Sequence, residues 1–275
     1  ALLVASSPLA CSATPPADGP HDAPPIVTAA PTALASTSAS ASASAEVAPP
    51  APKAHKYAVA SENATAVKIA MEVLAKGGSA ADAAIAGLLA VGVAQPVSSG
   101  LGGGGFATVY DAKTKKVTVI DFRETAPAAL KLADYAKRPI KEDNRRGLTT
   151  GVPGEVAGLY EIHARWGKLA FADDVRGAAD AAEKGFPLTA HLARTLKWNE
   201  AWVLKTPRFG FYTANSALRP AGDTIVNSAL AATLRRLAAE GKAAFYEGAI
   251  AKDILETARA GGSRMTADDL KNYKV

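Results

Sequence analysis

Ser98-Ser-Gly-Leu-Gly-Gly-Gly-Gly-Phe-Ala-Thr-Val-Tyr110, followed after a lysine-rich turn by Val117-Thr-Val-Ile-Asp-Phe122, decides how the chain is read. Four successive glycines remove every Cβ from a loop and so let backbone or ligand approach closely. The β-branched and aromatic runs on either side of the lysines predict a hairpin over 106–110 and 117–122. Gly100, Gly102 and Gly105 also fit the Gly-x-Gly-x-x-Gly dinucleotide fingerprint, with Asp121 about twenty residues on. That fingerprint needs a strand before it and a helix after it, so that the helix amino terminus faces the pyrophosphate. Here Pro96 and two serines precede the glycines and a strand follows, which excludes a dinucleotide site.

Outward from this loop the pattern turns helical. Val67, Ala70, Met71 and Leu74 recur at helical spacing and stop at Gly77-Gly78. Ser79-Ala-Ala-Asp82 is a capping-box pattern opening a helix through Ala90 that is apolar all round and therefore buried. On the other side, Val152-Pro-Gly-Glu155 starts a helix with proline in its first turn and Trp166-Gly167 ends it. Further helices are predicted over 172–184, 189–205, 228–240 with Asn227 as cap, 248–260, and a short one capped by Thr266 and reaching Tyr273. One hairpin is marginal alone in water, so this much strand needs a larger sheet to join.

The 275 residues are 48% hydrophobic but only 6% aromatic, which points to close helix packing through small side chains rather than a core of large rings. The apolar run after Ser79 is cut by Asp82 and by glycines, too short for a membrane span. The net charge of +5 is spread among interleaved acids and bases. Its densest cluster, Lys137, Arg138, Lys141, Arg145 and Arg146, is broken by Glu142 and Asp143 and lacks aromatics to stack on bases, so no nucleic-acid partner is expected. His21, His55, His163 and His191 fall in separate segments, and there is one cysteine. No metal, cofactor or disulfide framework is expected from this spacing.

Residues 1–11 read as the tail of an apolar signal segment, with Ser7-Pro-Leu-Ala10 before Cys11. A small residue before a lone cysteine resembles a bacterial lipoprotein signal, although Pro8 departs from the aliphatic residue usual there. Export to an extracytoplasmic, periplasmic or lipid-anchored location is expected. Residues 12–54, almost wholly Ala, Pro, Ser and Thr, have too little bulky apolar surface to offset chain entropy and read as a disordered tether. The folded domain is expected over 55–275.

Within that domain five stretches carry a resemblance. Asn63 through Asp82, the loop from Pro96 to Phe106, Asp121-Phe-Arg-Glu-Thr-Ala-Pro127, Gly151-Val-Pro-Gly154 and Ala243-Ala-Phe-Tyr-Glu-Gly248 closely resemble the large subunit of γ-glutamyltranspeptidases, in the family's order. Met265-Thr-Ala-Asp-Asp-Leu270 is similar to the segment near that subunit's far end. The resemblance implies an α+β N-terminal-nucleophile hydrolase, a four-layer αββα sandwich formed jointly with a small subunit after self-cleavage. It implies a threonine nucleophile whose own amine serves as base, glutathione and other γ-glutamyl compounds as donors, and water or amino acid and peptide acceptors. The sequence is expected to stop before that threonine, so no catalytic nucleophile is assigned and the fragment alone is expected to be inactive and prone to aggregate. Thr149-Thr150-Gly151 is an unsuitable substitute, since it leads into Val-Pro-Gly and a helix start.

By the same resemblance Arg123 binds the α-carboxylate of the γ-glutamyl group, a task suited to a guanidinium that grips a carboxylate with two parallel bonds. The competing role is an ion pair with Glu124 or Asp121. Cephalosporin-acylase-like and poly-γ-glutamate-processing enzymes share the scaffold, and Arg123 favours a donor with a free α-carboxylate. A non-catalytic remnant or binding domain is the reading if the gene ends at Val275.

Overall fold

A computed structural model describes residues 2–5, 56–134 and 147–275. The tether over 12–54, Cys11 and the basic cluster from Lys137 to Arg146 lie outside the described residues. The described residues from 57 onward form one compact unit that also takes in 2–5.

Helix α1 (Ala64–Ala75) starts where Asn63 accepts the amides of Thr65 and Ala66, and α2 (Ala80–Ala94) starts at the Ser79/Asp82 capping box read from the sequence. Alanines on both helices allow close approach, and Ala66, Ala70, Ala83, Ala86 and Ala90 are buried together. Helix α2 is the central rod. Around it pack α1, α3 (Glu155–Trp166) and α4 (Phe171–Lys184), the last of which carries α7 (Ser228–Glu240) on its other side. In α3, Gly154 is the cap, so Pro153 stands just outside the helix rather than in its first turn.

The predicted helix over 189–205 is two helices, α5 (Ala190–Trp198) and α6 (Glu200–Lys205), with Asn199 closing one and opening the next. The asparagine amide donates back to the Thr195 carbonyl at 3.0 Å, a local bond that competes with continuing the helix. A short α8 (Lys242–Tyr246) precedes α9 (Ala249–Ala260), and α10 (Ala267–Lys271) has a second capping box between Thr266 and Asp269.

Strands β2 (Phe106–Asp111) and β3 (Lys116–Asp121) form the expected hairpin, with Phe106 opposite Asp121 and Asp111 opposite Lys116. A third strand, β1 (Leu2–Ala5), pairs antiparallel with β2, placing Leu2 opposite Val109 and Ala5 opposite Phe106. An open strand edge is a template for such pairing, and the segment read as a signal remnant therefore supplies backbone to this sheet. Two further ladders are only two residues per strand: β4 (Phe186–Pro187) with β7 (Thr224–Ile225), and β5 (Thr213–Ala214) with β6 (Ala217–Leu218).

The hairpin has one buried and one bare face. Ala107, Val109 and Ile120 point into the core, whereas Phe106, Tyr110, Val117 and Val119 project outward, the two valines more than 60% exposed. An apolar sheet face of this kind is built to be covered.

Candidate functional site

The end of β3 is where the glycine loop, the α3 amino terminus and the last helix converge. Phe122 continues the β2–β3 pairing, its amide donating to the Gly105 carbonyl at 2.9 Å. Its ring is fully buried. A Cβ at Gly104 would collide with the Phe122 carbonyl, one at Gly154 with that same oxygen and the Tyr273 hydroxyl, and one at Gly158 with the Phe122 ring. These glycines are thus space for Phe122, which explains why residues so far apart in sequence are all Cβ-free. The Gly103 carbonyl accepts the amides of both Gly154 and Glu155 at 2.9 Å, so the loop is tied to the start of α3.

Beyond Phe122, Arg123 is held by its backbone at both ends. Its amide donates to Asp121 Oδ1 at 2.9 Å, and its carbonyl accepts the Tyr273 hydroxyl at 2.8 Å. Two residues on, Thr125 and Val152 exchange backbone bonds of 3.3 and 2.8 Å, joining this turn to the Gly151–Gly154 segment. Buried Tyr246 locks that segment in turn, donating to the Pro153 carbonyl and accepting the Ala157 amide.

The Arg123 side chain is about one-third exposed, and its Nε lies 3.4 Å from Glu124 Oε2. The ion pair weighed from the sequence is therefore present. It engages Nε and leaves the terminal Nη groups without a hydrogen-bond partner among the described residues. A guanidinium in that state is oriented by one carboxylate while its end-on fork stays open to a second. Glu124 thus acts as a brace for Arg123 rather than a competitor for its whole donor set.

Glu155 completes the network and was not identified from the sequence. It is buried, its Oε2 accepts the Gly100 amide at 3.3 Å, and its Oε1 has no partner among the described residues. Burial pushes its pKa up to about 7, partly offset by the Gly100 bond and reinforced by the nearby Glu124 charge. The only signal in the chain was its place after Val-Pro-Gly at a helix start, where glutamates are ordinary.

The native Glu155 carboxyl holds its proton up to about pH 7, whereas the unfolded group releases it near its ordinary 4.5. Between these values the folded state binds more protons, so this group's contribution to stability falls as pH rises from 4.5 to 7 and is flat outside that window. The difference amounts to about 3 kcal/mol. Glu155→Gln, which keeps an acceptor for Gly100, should flatten that part of the profile, so that the variant gains on the wild type from pH 5 to pH 7.5 in thermal melts. Parallel pH profiles for the two proteins would remove the buried proton from the account.

Thr149 and Thr150 line a different feature, a cleft of about 920 Å³ with Leu101, Gly102, Trp202 and Phe209. They stand at the end of the 3-10 turn Gly147–Thr149, in mid-chain, where neither has a free amine to serve as base. Arg123 does not line that cleft, and its side chain is partly exposed.

A γ-glutamyltranspeptidase family model matches residues 66–275. The chain is 37% identical over 222 residues to the glutathione hydrolase proenzyme of Bacillus subtilis strain 168, a match covering 79% of this chain and 38% of that protein. In structure it is similar to the γ-glutamyltranspeptidase of Pseudomonas nitroreducens complexed with L-DON, with a TM-score of 0.72, 33% identity, and coverage of 79% of this chain and 65% of that one. It is also similar to the γ-glutamyltranspeptidase of Helicobacter pylori, with a TM-score of 0.76, 29% identity, and coverage of 82% and 66%. The chain thus spans well under half the length of the curated relatives it matches.

Proposed function

Because the chain belongs to the γ-glutamyltranspeptidase family and has its N-terminal-nucleophile hydrolase fold, we propose that the complete protein cleaves γ-glutamyl amides, glutathione among them, and transfers the γ-glutamyl group to water or to an amino acid or peptide. The observation that carries this reading is Arg123, braced through Nε by Glu124 and gripped at both backbone ends, with its terminal fork open. In the proposal that fork takes the donor's α-carboxylate, whose charge and planar geometry it matches.

The chemical step then needs a hydroxyl activated by a base. We assign it to a threonine that heads a small subunit produced by self-cleavage, as the resemblance implies, since the mid-chain Thr149 and Thr150 are unsuited to it. The bare outer face of β2 and β3 supports this arrangement, because a second sheet laid on Phe106, Tyr110, Val117 and Val119 would produce the central ββ layers of an αββα sandwich. The two-carboxylate demand of Arg123, one internal and one from the donor, favours substrates with a free α-carboxylate over cephalosporin-type acyl groups. For location, no helix among the described residues is long and apolar enough to cross a membrane. We propose an extracytoplasmic protein in which 12–54 is a flexible tether and Cys11 a lipid attachment point, on the strength of their composition.

The test is direct. The full-length protein incubated with glutathione should release glutamate, and addition of a dipeptide acceptor should divert part of the product to the γ-glutamyl dipeptide, both read by mass spectrometry. A correctly cleaved two-chain product that turns over neither glutathione nor a γ-glutamyl anilide would overturn the reading.

A further inference from the structure

Away from Arg123, three helices bring together Asp82, His163 and Asp174, residues that sequence spacing left unconnected. Asp82 is the third residue of α2, His163 lies in the last turn of α3, and Asp174 in the first turn of α4. One ligand atom from each lies within 4.8 Å of the others. Both aspartates are fully buried and the histidine is half-buried.

The three side chains are very differently provided for. Asp82 accepts the amides of Ser79, Lys168 and Leu169 at 2.6–3.3 Å, so its charge is well solvated by the ends of two chain segments. His163 Nε2 stands 2.8 Å from the Leu169 carbonyl. That carbonyl can only accept, so Nε2 is the donor there and Nδ1 is the nitrogen left to bind a metal. A histidine that donates one ring N–H to a backbone carbonyl is the usual supporting arrangement of a metal ligand. No amide or hydroxyl donates to either Asp174 oxygen, although the side chain is completely removed from water; what it faces is the Asp82 carboxyl, within reach of a single shared proton.

Two buried carboxyls facing each other without a cationic partner are costly, and native structures rarely leave such a pair unexplained. A divalent cation seated between them would neutralise both carboxylates at once and give Asp174 the partner that no amide or hydroxyl supplies.

We propose that Asp82, Asp174 and His163 form a structural divalent-cation site that clamps α2, α3 and α4 together. One nitrogen and two oxygen donors suit zinc and its neighbours better than calcium or magnesium, which prefer all-oxygen shells. Zinc–ligand distances of about 2.0–2.2 Å place two ligand atoms no more than about 4.4 Å apart, so the side chains must draw in by a few tenths of an ångström. The half-buried His163 edge gives the ion its way in.

Cobalt(II) titration of the full-length protein, after chelator treatment and dialysis, is the experiment, because its d–d absorption reports nitrogen and oxygen coordination directly. The expected result is saturation at one equivalent, displacement by zinc, and a higher Tm for the loaded protein. Asp174→Leu is expected to weaken cobalt binding by more than the roughly 10–100-fold typical of losing a supporting partner. It should also leave the metal-free protein at least as stable as the wild type, since a leucine there replaces a buried carboxyl that faces a second carboxyl. Asp174→Asn, close to isosteric, serves as the second variant if leucine does not fold, and should weaken binding likewise. Absence of saturable binding in the wild type, or equal binding by a folded Asp174 variant, would overturn the proposal and leave Asp174 as a neutral buried acid.

Discussion

Gly154→Ala is expected to cost about 3 kcal/mol of stability and lower the Tm by roughly 6–12 °C. The glycine has ordinary helical dihedrals, so the loss does not come from strained backbone. It comes from collision, since a Cβ there meets the Phe122 carbonyl and the Tyr273 hydroxyl together. One of these is backbone inside a hydrogen-bonded strand extension, and the other is the donor that holds the Arg123 carbonyl. Neither can move without giving up a bond worth about 1 kcal/mol. Gly102→Ala is the control, because open space surrounds that position and its melting point should stay within about 2 °C of wild type. If the two variants melt together, the crowding around Phe122 is not what fixes this part of the fold.

The second large effect concerns Arg123 and rests on the proposed activity. Charge-assisted bonds contribute about 1.5–3 kcal/mol, so Arg123→Ala should raise KM for γ-glutamyl donors by roughly tenfold or more. Arg123→Lys should raise KM much more than it lowers kcat, because lysine retains the charge but cannot form the two-pronged grip. Glu124→Gln separates donor binding from a purely structural pair. It removes the Nε partner while leaving the fork, so it should perturb KM only modestly. An unchanged KM in Arg123→Lys, or an equal loss in Glu124→Gln, would assign the arginine to structure instead.

These features were unevenly legible in the chain. Local signals were strong wherever a side chain acts on its own neighbours: Ser79, Asn227 and Thr266 all cap the helices whose starts they mark, although Asn63, which caps the first helix, was not read as a cap. The hairpin was legible for the same reason. The break at Asn199 was not, because the 189–205 run is periodic throughout and only the bond to Thr195 shows where it ends. Nor were the two-residue ladders, too short to leave an alternating pattern. What no local pattern could show is double duty. Asp82 was readable as a cap but not as the acceptor for Lys168 and Leu169, 86 and 87 residues away. The glycine loop was readable as a close approach, yet what approaches it is Phe122 and the start of α3, identified only once the chain is folded.

The Tyr273 clasp on Arg123 also sets a timetable. Its two ends are 150 residues apart in the chain. At translation speeds of about 5–20 residues per second, the arginine turn leaves the ribosome's active centre roughly 8–30 s before its clasp is made. The helices and hairpin before it can form during that interval from contacts already synthesised, and the Arg123 amide can reach Asp121, but the Arg123 carbonyl waits for its donor. The turn that carries Arg123 is therefore completed late, and a nascent chain caught in that interval exposes the same turn to any waiting protease or chaperone.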